Sequence, residues 1–355
     1  VRTADLDYEL PPEAIAQQPL DRRDSARLLV DRGPDDAPVH RRVSDLPSLL
    51  DDGDLLVVNT TRVLPGRLRL RRASGGSAEV LLVRAAGDGA WEALVRPSRR
   101  IRVGERLVPA RTAAPDGPAA SLEVEVGEDL GRGRRVVRLE GVSDEPAALD
   151  AVGEIPLPPY VHEALADPER YQTVMADRAA SAAAPTAGLH LTEDLLDRCR
   201  RAGVEIAEVE LEVGIATFRP IEAEHVEDHV MHAERYRVPA ETVSAIRGAR
   251  RVVAIGTTVV RTLESAARTG ALVGDSELFI HGDFSFRVVD RLLTNFHLPR
   301  SSLLALVQAF AGPRWSDLYA LALSEGYRFL SFGDAMLLDP LVPTRRDLSC
   351  LEVDR

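Results

Sequence analysis

Four apolar residues in a row, Leu55-Leu56-Val57-Val58, closed by the turn-prone Asn59-Thr60-Thr61, have the pattern of a strand buried on both faces. From Val63 to about Leu139 the pattern changes to short alternating stretches separated by glycine-rich turns. Glu79 to Val83, Trp91 to Val95 and Leu122 to Val126 are examples. Several short strands at this spacing predict a small barrel or sandwich. Pro156-Leu157-Pro158-Pro159-Tyr160 then stiffens the chain and marks a boundary.

Beyond that boundary strand and helix patterns alternate. Thr192 to Ala202 is amphipathic, with Thr192 as N-cap and Gly203 as a stop. Val204 to Val213 alternates like a strand, Ala240 to Arg250 reads as helix, Val252 to Ile255 as a buried strand and Thr258 to Arg268 as helix. A strand-like Val288-Val289, an apolar helix from Leu303 to Phe310 and another helix from Trp315 to Gly326 complete the series. The expected fold class is an α/β main domain with an inserted small all-β barrel domain. The expected bounds are 1–60 plus 150–355 for a discontinuous α/β catalytic domain and 61–149 for the barrel.

Composition narrows the chemistry. The 355 residues are 45% hydrophobic, 28% charged and 5% aromatic, which suits two soluble domains with their own cores. No apolar run reaches the roughly 18 residues that span a bilayer, and the acidic start lacks a signal-peptide pattern, so a cytoplasmic location is expected. The two cysteines, Cys199 and Cys350, form no metal-type spacing and no disulfide framework. All 44 basic residues are arginine, which excludes mechanisms that need a lysine: Schiff-base and pyridoxal-phosphate catalysis, Walker-A ATPases and protein kinases. The net charge of −12 is unevenly spread. Between Arg62 and Arg138, 16 arginines face nine acids, a balance of +7 that leaves −19 on the remainder. An RNA-facing module shows such asymmetry, and so does an arginine-rich solvated barrel.

Four segments could carry chemistry. Gly256-Thr257-Thr258 ends a strand and opens a helix, where free N–H groups attract an anion, and Arg261 follows one turn later. Pro185-Thr186-Ala187-Gly188-Leu189 brings His190 to a glycine-containing loop, a position for general acid or base work or for a structural histidine. His225, His229 and His232 have spacings of four and three, which on a helix would share one face. No HExxH motif accompanies them, and an acid/base or hydrogen-bonding cluster with Asp228 fits better than a metal site, while a satisfied structural polar cluster fits as well as either. Asn295, His297 and Asp334 are polar groups among core-like residues, where burial demands a partner, as structural networks or as substrate contacts.

In this order the segments resemble the S-adenosylmethionine:tRNA ribosyltransferase-isomerase family of queuosine biosynthesis. The likeness lies in Leu55 to Val63, Leu157-Pro158-Pro159-Tyr160, Ala184 to His190, Glu227 to His232, Gly256 to Arg261, Thr294 to Pro299 and Tyr327 to Met336, and runs from about Asp5 to Leu338. The resemblance implies a reaction without metal. The ribosyl moiety of S-adenosylmethionine, the co-substrate, moves to the aminomethyl group of 7-aminomethyl-7-deazaguanine in tRNA. Epoxyqueuosine forms, and adenine and methionine leave.

Set against that chemistry, His190, His229, His232, Arg261 and Asp228 are the expected catalytic residues. Asn59, Arg62, Pro185, Thr186, Gly188, Gly256, Thr257, Thr258, Asn295, His297 and Asp334 are the expected substrate-binding residues. Arg261 and the Gly256 turn would take the methionine carboxylate. The expected partner is tRNA, with no membrane, for a chain acting as a monomer. The chain departs from the family pattern at Thr60, at Ala179-Ala180, at Glu212 and Ala216, and at His281-Gly282-Asp283. These departures motivate an alternative, a paralogue in the same fold with a small-molecule acceptor or a different rearrangement. A non-catalytic adenosyl- or RNA-binding protein and a metal-dependent hydrolase using the histidine cluster are weaker alternatives.

Overall fold

The computed structural model describes residues 1–110, 117–214 and 220–351. They divide into two compact units, one of Val1–Thr61, Pro158–Arg178 and Ala184–Arg355, the other of Arg62–Leu157 with Ala179–Ala183.

The first unit is built on a nine-stranded sheet. In spatial order its strands are Val273–Ser276, Glu234–Arg237, Glu205–Leu211, Asp54–Asn59, Arg251–Ile255, Arg291–Asn295, Ala335–Leu338, Arg27–Asp31 and Val39–Arg42. The four central strands, from Glu205–Leu211 to Arg291–Asn295, are mutually parallel. Asp54–Asn59 lies among them and is buried at every position, which is why its sequence runs apolar without alternation. Val39–Arg42 closes one edge with every residue exposed and with His40, Arg41 and Arg42 discouraging further pairing. The core on one side gathers Leu28, Leu56, Val58, Leu195, Val253, Leu293 and Leu337. Burial of each contributes about 1.5–3 kcal/mol.

The helices begin where the side-chain chemistry foretells. Thr192 caps Glu193–Arg201 by accepting the Leu195 N–H at 3.1 Å, and Ser301 caps Ser302–Ala311 through Leu304 at 3.2 Å. Thr257–Thr269 starts directly at Gly256 and ends at Gly270 in the left-handed region.

Two local readings need correction. Residues 225–232 are not helical: Val226–Asp228 is a single 3-10 turn, and an extended segment follows. Val226 is buried and anchors the turn, so His225, His229 and His232 share no helical face. Val288 and Val289 form no strand. Their N–H groups go to the Glu264 carboxylate, and the strand starts later, at Arg291.

The second unit is a closed six-stranded antiparallel barrel, inserted in the sequence. Its order is Arg67–Arg72, Ser77–Gly87, Ala90–Arg96, Arg134–Glu140, Glu123–Gly131 and Glu105–Pro109, which pairs back to Arg67–Arg72. Alternate residues such as Leu68, Leu70, Val80, Leu82, Val95, Val124 and Val137 fill the interior.

Candidate active site

The parallel strands end together at one edge of the sheet, and their carboxyl ends carry Asn59, Gly256 and Asn295. In open α/β sheets the crevice at this edge is where ligands sit. The 3-10 turn Thr186–His190 packs over it.

Asn295 is the hub. Its carboxamide oxygen accepts the Thr186 hydroxyl at 2.9 Å, and its nitrogen donates to the Leu330 carbonyl at 3.2 Å. That orientation points an N–H at Nε2 of His190, 3.1 Å away, so the proton of the neutral imidazole resides on Nδ1. Burial, with the nearby charges of Arg328 and Arg23, lowers the His190 pKa to about 4. His190 is therefore neutral at physiological pH. Leu330 sits at φ 69°, a left-handed conformation that costs a leucine about 1–2 kcal/mol, and the kink turns its carbonyl toward Asn295.

A small cleft opens beside this network, lined in part by Tyr160, Thr186, Asn295, His297, Ser301 and Ser331. Tyr160 shares a 2.7 Å hydrogen bond with Ser331, and burial raises its pKa. His297 is fixed on three sides. Its ring meets Thr294 at 2.9 Å, its N–H donates to Tyr319, and its carbonyl accepts from Tyr8. Burial lowers the His297 pKa to about 3.

The turn before Thr257–Thr269 forms the second half. Gly256 has φ 94°, and a Cβ there would come within 3.3 Å of the Ala187 Cβ. Only glycine lets this turn close on the Thr186–His190 segment without strain. Thr257 and Thr258 open the helix, where backbone N–H groups are free to meet an anion, and the buried Thr258 hydroxyl has no hydrogen-bond partner among the described residues. A buried hydroxyl without a partner costs free energy unless a ligand supplies one. Gly188 is packed too: a Cβ there would lie 3.0 Å from the Thr173 methyl.

The other residues singled out in the sequence are placed differently. Arg261 is buried and paired with Glu234, with further bonds to the carbonyls of Ser276 and Leu278 at 3.2 Å. It ties the helix to the edge strand Val273–Ser276 and its neighbour Glu234–Arg237. Asn59 spends its amide on Leu211 and Thr61. Asp334 accepts the N–H groups of Arg27 at 2.7 Å and Arg328 at 2.8 Å, which staples the 328–334 turn. Pro185 opens the 3-10 turn, and its carbonyl accepts from Gly188. Arg62 lies in the barrel unit, in a short strand paired with Ala179–Ser181. Asp228 and His232 are exposed, and His229 is half-buried with its ring 5.4 Å from Phe279. Burial and then His232 lower the His229 pKa. Among the described residues no group of three or more His, Cys, Asp or Glu is placed to hold a metal ion. No described helix is long and apolar enough to cross a membrane.

Tyr160 and Ser331 lie inside segments quoted above, but nothing in their spacing marks them as partners. Of the departing positions, Thr60 bonds the Val209 carbonyl and Glu212 pairs with Arg178 at 3.1 Å. His281 packs 4.7 Å from Phe279, and Ala216 lies outside the described residues.

A family model described as "Queuosine biosynthesis protein" matches residues 3–338. The S-adenosylmethionine:tRNA ribosyltransferase-isomerase of Rubrobacter xylanophilus is 50% identical over 339 residues, 95% of this chain and 98% of the relative. The enzyme of that name from Thermus thermophilus is 51% identical over 343 residues, 94% of this chain and 98% of its own length. A crystal structure of S-adenosylmethionine tRNA ribosyltransferase from Thermotoga maritima aligns with a TM-score of 0.53 at 37% identity, over 94% of this chain and 99% of that one.

Proposed function

The chain belongs to the queuosine biosynthesis protein family, and from that premise we propose how its residues serve the family's reaction. It is a ribosyltransferase-isomerase that takes S-adenosylmethionine as co-substrate. The ribosyl moiety is transferred to the aminomethyl group of 7-aminomethyl-7-deazaguanine in tRNA and isomerised to the epoxycyclopentanediol of epoxyqueuosine. Adenine and methionine are released.

The observation that carries the site assignment is the meeting of Gly256 with Ala187 beside the Thr258 hydroxyl, which has no hydrogen-bond partner among the described residues. The methionine carboxylate of S-adenosylmethionine docks at this helix start, where N–H groups of Thr257 and Thr258 and the Thr258 hydroxyl are available. Arg261, committed to Glu234, holds the helix rather than the ligand. The ribose and adenine extend into the cleft of Thr186, Asn295, Tyr160 and Ser331. The sulfonium acidifies the adjacent C5′ hydrogen, so the site has to supply a proton acceptor and later a proton for departing adenine. Neutral His190, fixed by Asn295 of the cleft wall, is the proposed proton-handling group. His229 and His232, with Asp228, serve at the exposed segment. The proposed reaction uses no metal.

Incubation with S-adenosylmethionine and tRNA carrying the deazaguanine base, followed by mass spectrometry, tests this reading. The expected products are ribosyl-extended tRNA, adenine and methionine in equal amounts. Adenine release that does not require tRNA would contradict it.

A further inference from the structure

The antiparallel ladders of the barrel place the connections 73–76, 97–104 and the Gly131–Gly133 hairpin on one rim. Arg96, Arg99, Arg100, Arg102 and Arg132 stand exposed on it. None of the five has a carboxylate partner among the described residues, whereas elsewhere in the barrel Arg69 pairs with Glu154, Arg106 with Glu123 and Arg134 with Glu92. Of the acids near the rim, Glu105 holds Arg72 at 2.6 Å and Asp129 holds Arg135 at 3.4 Å, which leaves Glu128 and Glu79, the cross-strand neighbour of Arg96.

The backbone beneath these side chains is fixed. Arg72 donates to the Arg100 carbonyl at 2.6 Å, and Arg135 donates to the carbonyls of Ser98 at 2.9 Å and Ile101 at 3.2 Å. Ile101 is buried, the Arg102 N–H bonds Glu105 at 3.0 Å, and the Gly104 N–H bonds the Val126 carbonyl at 2.7 Å. Two arginines are thus spent on clamping carbonyls of a loop whose own arginines are exposed, with no carboxylate partner among the described residues. A merely solvated surface mixes signs and gains nothing from such a clamp. A rigid, single-sign array of guanidinium groups fits the phosphates of a folded RNA, which arginine binds bidentately.

We propose that this rim receives the phosphate backbone of the tRNA substrate, an inference that rests on the tRNA-dependent reaction above. The test compares the full chain with the quadruple variant Arg96→Ala, Arg99→Ala, Arg100→Ala and Arg102→Ala. Affinity for tRNA carrying the deazaguanine base is measured between 50 and 200 mM salt, together with KM for tRNA, affinity for S-adenosylmethionine and melting temperature. The quadruple variant should lose at least about tenfold in tRNA affinity at low salt, and its log–log salt slope should shrink by roughly three. Its melting temperature and S-adenosylmethionine affinity should match the parent. The four Arg→Lys replacements should recover part of the binding, and the paired-arginine control Arg69→Ala/Arg106→Ala should stay within about twofold. Unchanged tRNA affinity and slope in the quadruple variant would overturn the rim while leaving the reaction intact. Loss of S-adenosylmethionine affinity or of melting temperature in the quadruple variant would overturn it as well, by showing a structural role. Parental turnover that does not need tRNA would overturn the reaction and the rim together.

Discussion

At the scale of single residues, Asn295 does the most with the least. One carboxamide serves Thr186, Leu330 and His190, and each partner is buried or nearly so. Asn295→Ala leaves three polar groups unmatched at the cleft wall. Its expected cost is about 1–3 kcal/mol of transition-state stabilisation, read as a 5- to 150-fold fall in kcat for adenine release. A folded variant with parental kcat would remove Asn295 from the site. The two buried histidines also set a pH signature. His190, lowered to about 4, and His297, lowered to about 3, stay neutral in the fold, while in the unfolded chain they titrate near the ordinary 6.5. The unfolded state then binds more protons across that window. Stability is full above pH 6.5 and falls as pH drops toward about 4, by up to roughly 1.4 kcal/mol per pH unit for each histidine. Urea unfolding at pH 7.5 and 5 should show the loss, and His297→Gln should flatten it. Equal pH slopes in parent and variant would speak against a neutral buried His297.

Elements explain which expectations could be read from the chain. The helices from Thr192 and Thr257 and the strand at 252–255 were legible because capping residues, glycine stops and β-branched runs act locally. The barrel strands were legible from their alternation. The histidine segment was not, because burial of Val226 overrides helical spacing across only a few residues. The segments that build the site were all visible as motifs, but their contacts come from tertiary pairing. Nothing in sequence spacing tells Asn295 to meet His190 across 105 positions, or Arg261 to be taken up by Glu234. Glu264 is a further such case. Fully buried in the helix Thr257–Thr269, it accepts the N–H groups of Arg287, Val288 and Val289 at 3.0–3.3 Å and pairs with Arg268. It thereby leads the chain into the strand that ends at Asn295. Glu264→Ala strands three donors and is expected to destabilise the fold by about 3–5 kcal/mol in denaturant melts. A loss under about 1 kcal/mol would show that other contacts hold that segment.

For the whole molecule, two kinds of surface divide the work. The sheet unit offers a crevice with a helix start and a neutral hydrogen-bonding wall, suited to a small charged nucleoside. The barrel unit holds 16 arginines against 14 acids, with Arg96, Arg99, Arg100, Arg102 and Arg132 exposed on one rim, suited to a polyanion. The central claim concerns the crevice: S-adenosylmethionine binds where the Gly256 turn closes on Ala187. Calorimetry on the parent and on Gly256→Val measures it directly, because a side chain at φ 94°, aimed at Ala187, blocks the turn. The account predicts saturable binding of one S-adenosylmethionine per parent chain and at least a tenfold weaker affinity in the folded variant. A folded parent without affinity, or a variant that binds equally well, would contradict it.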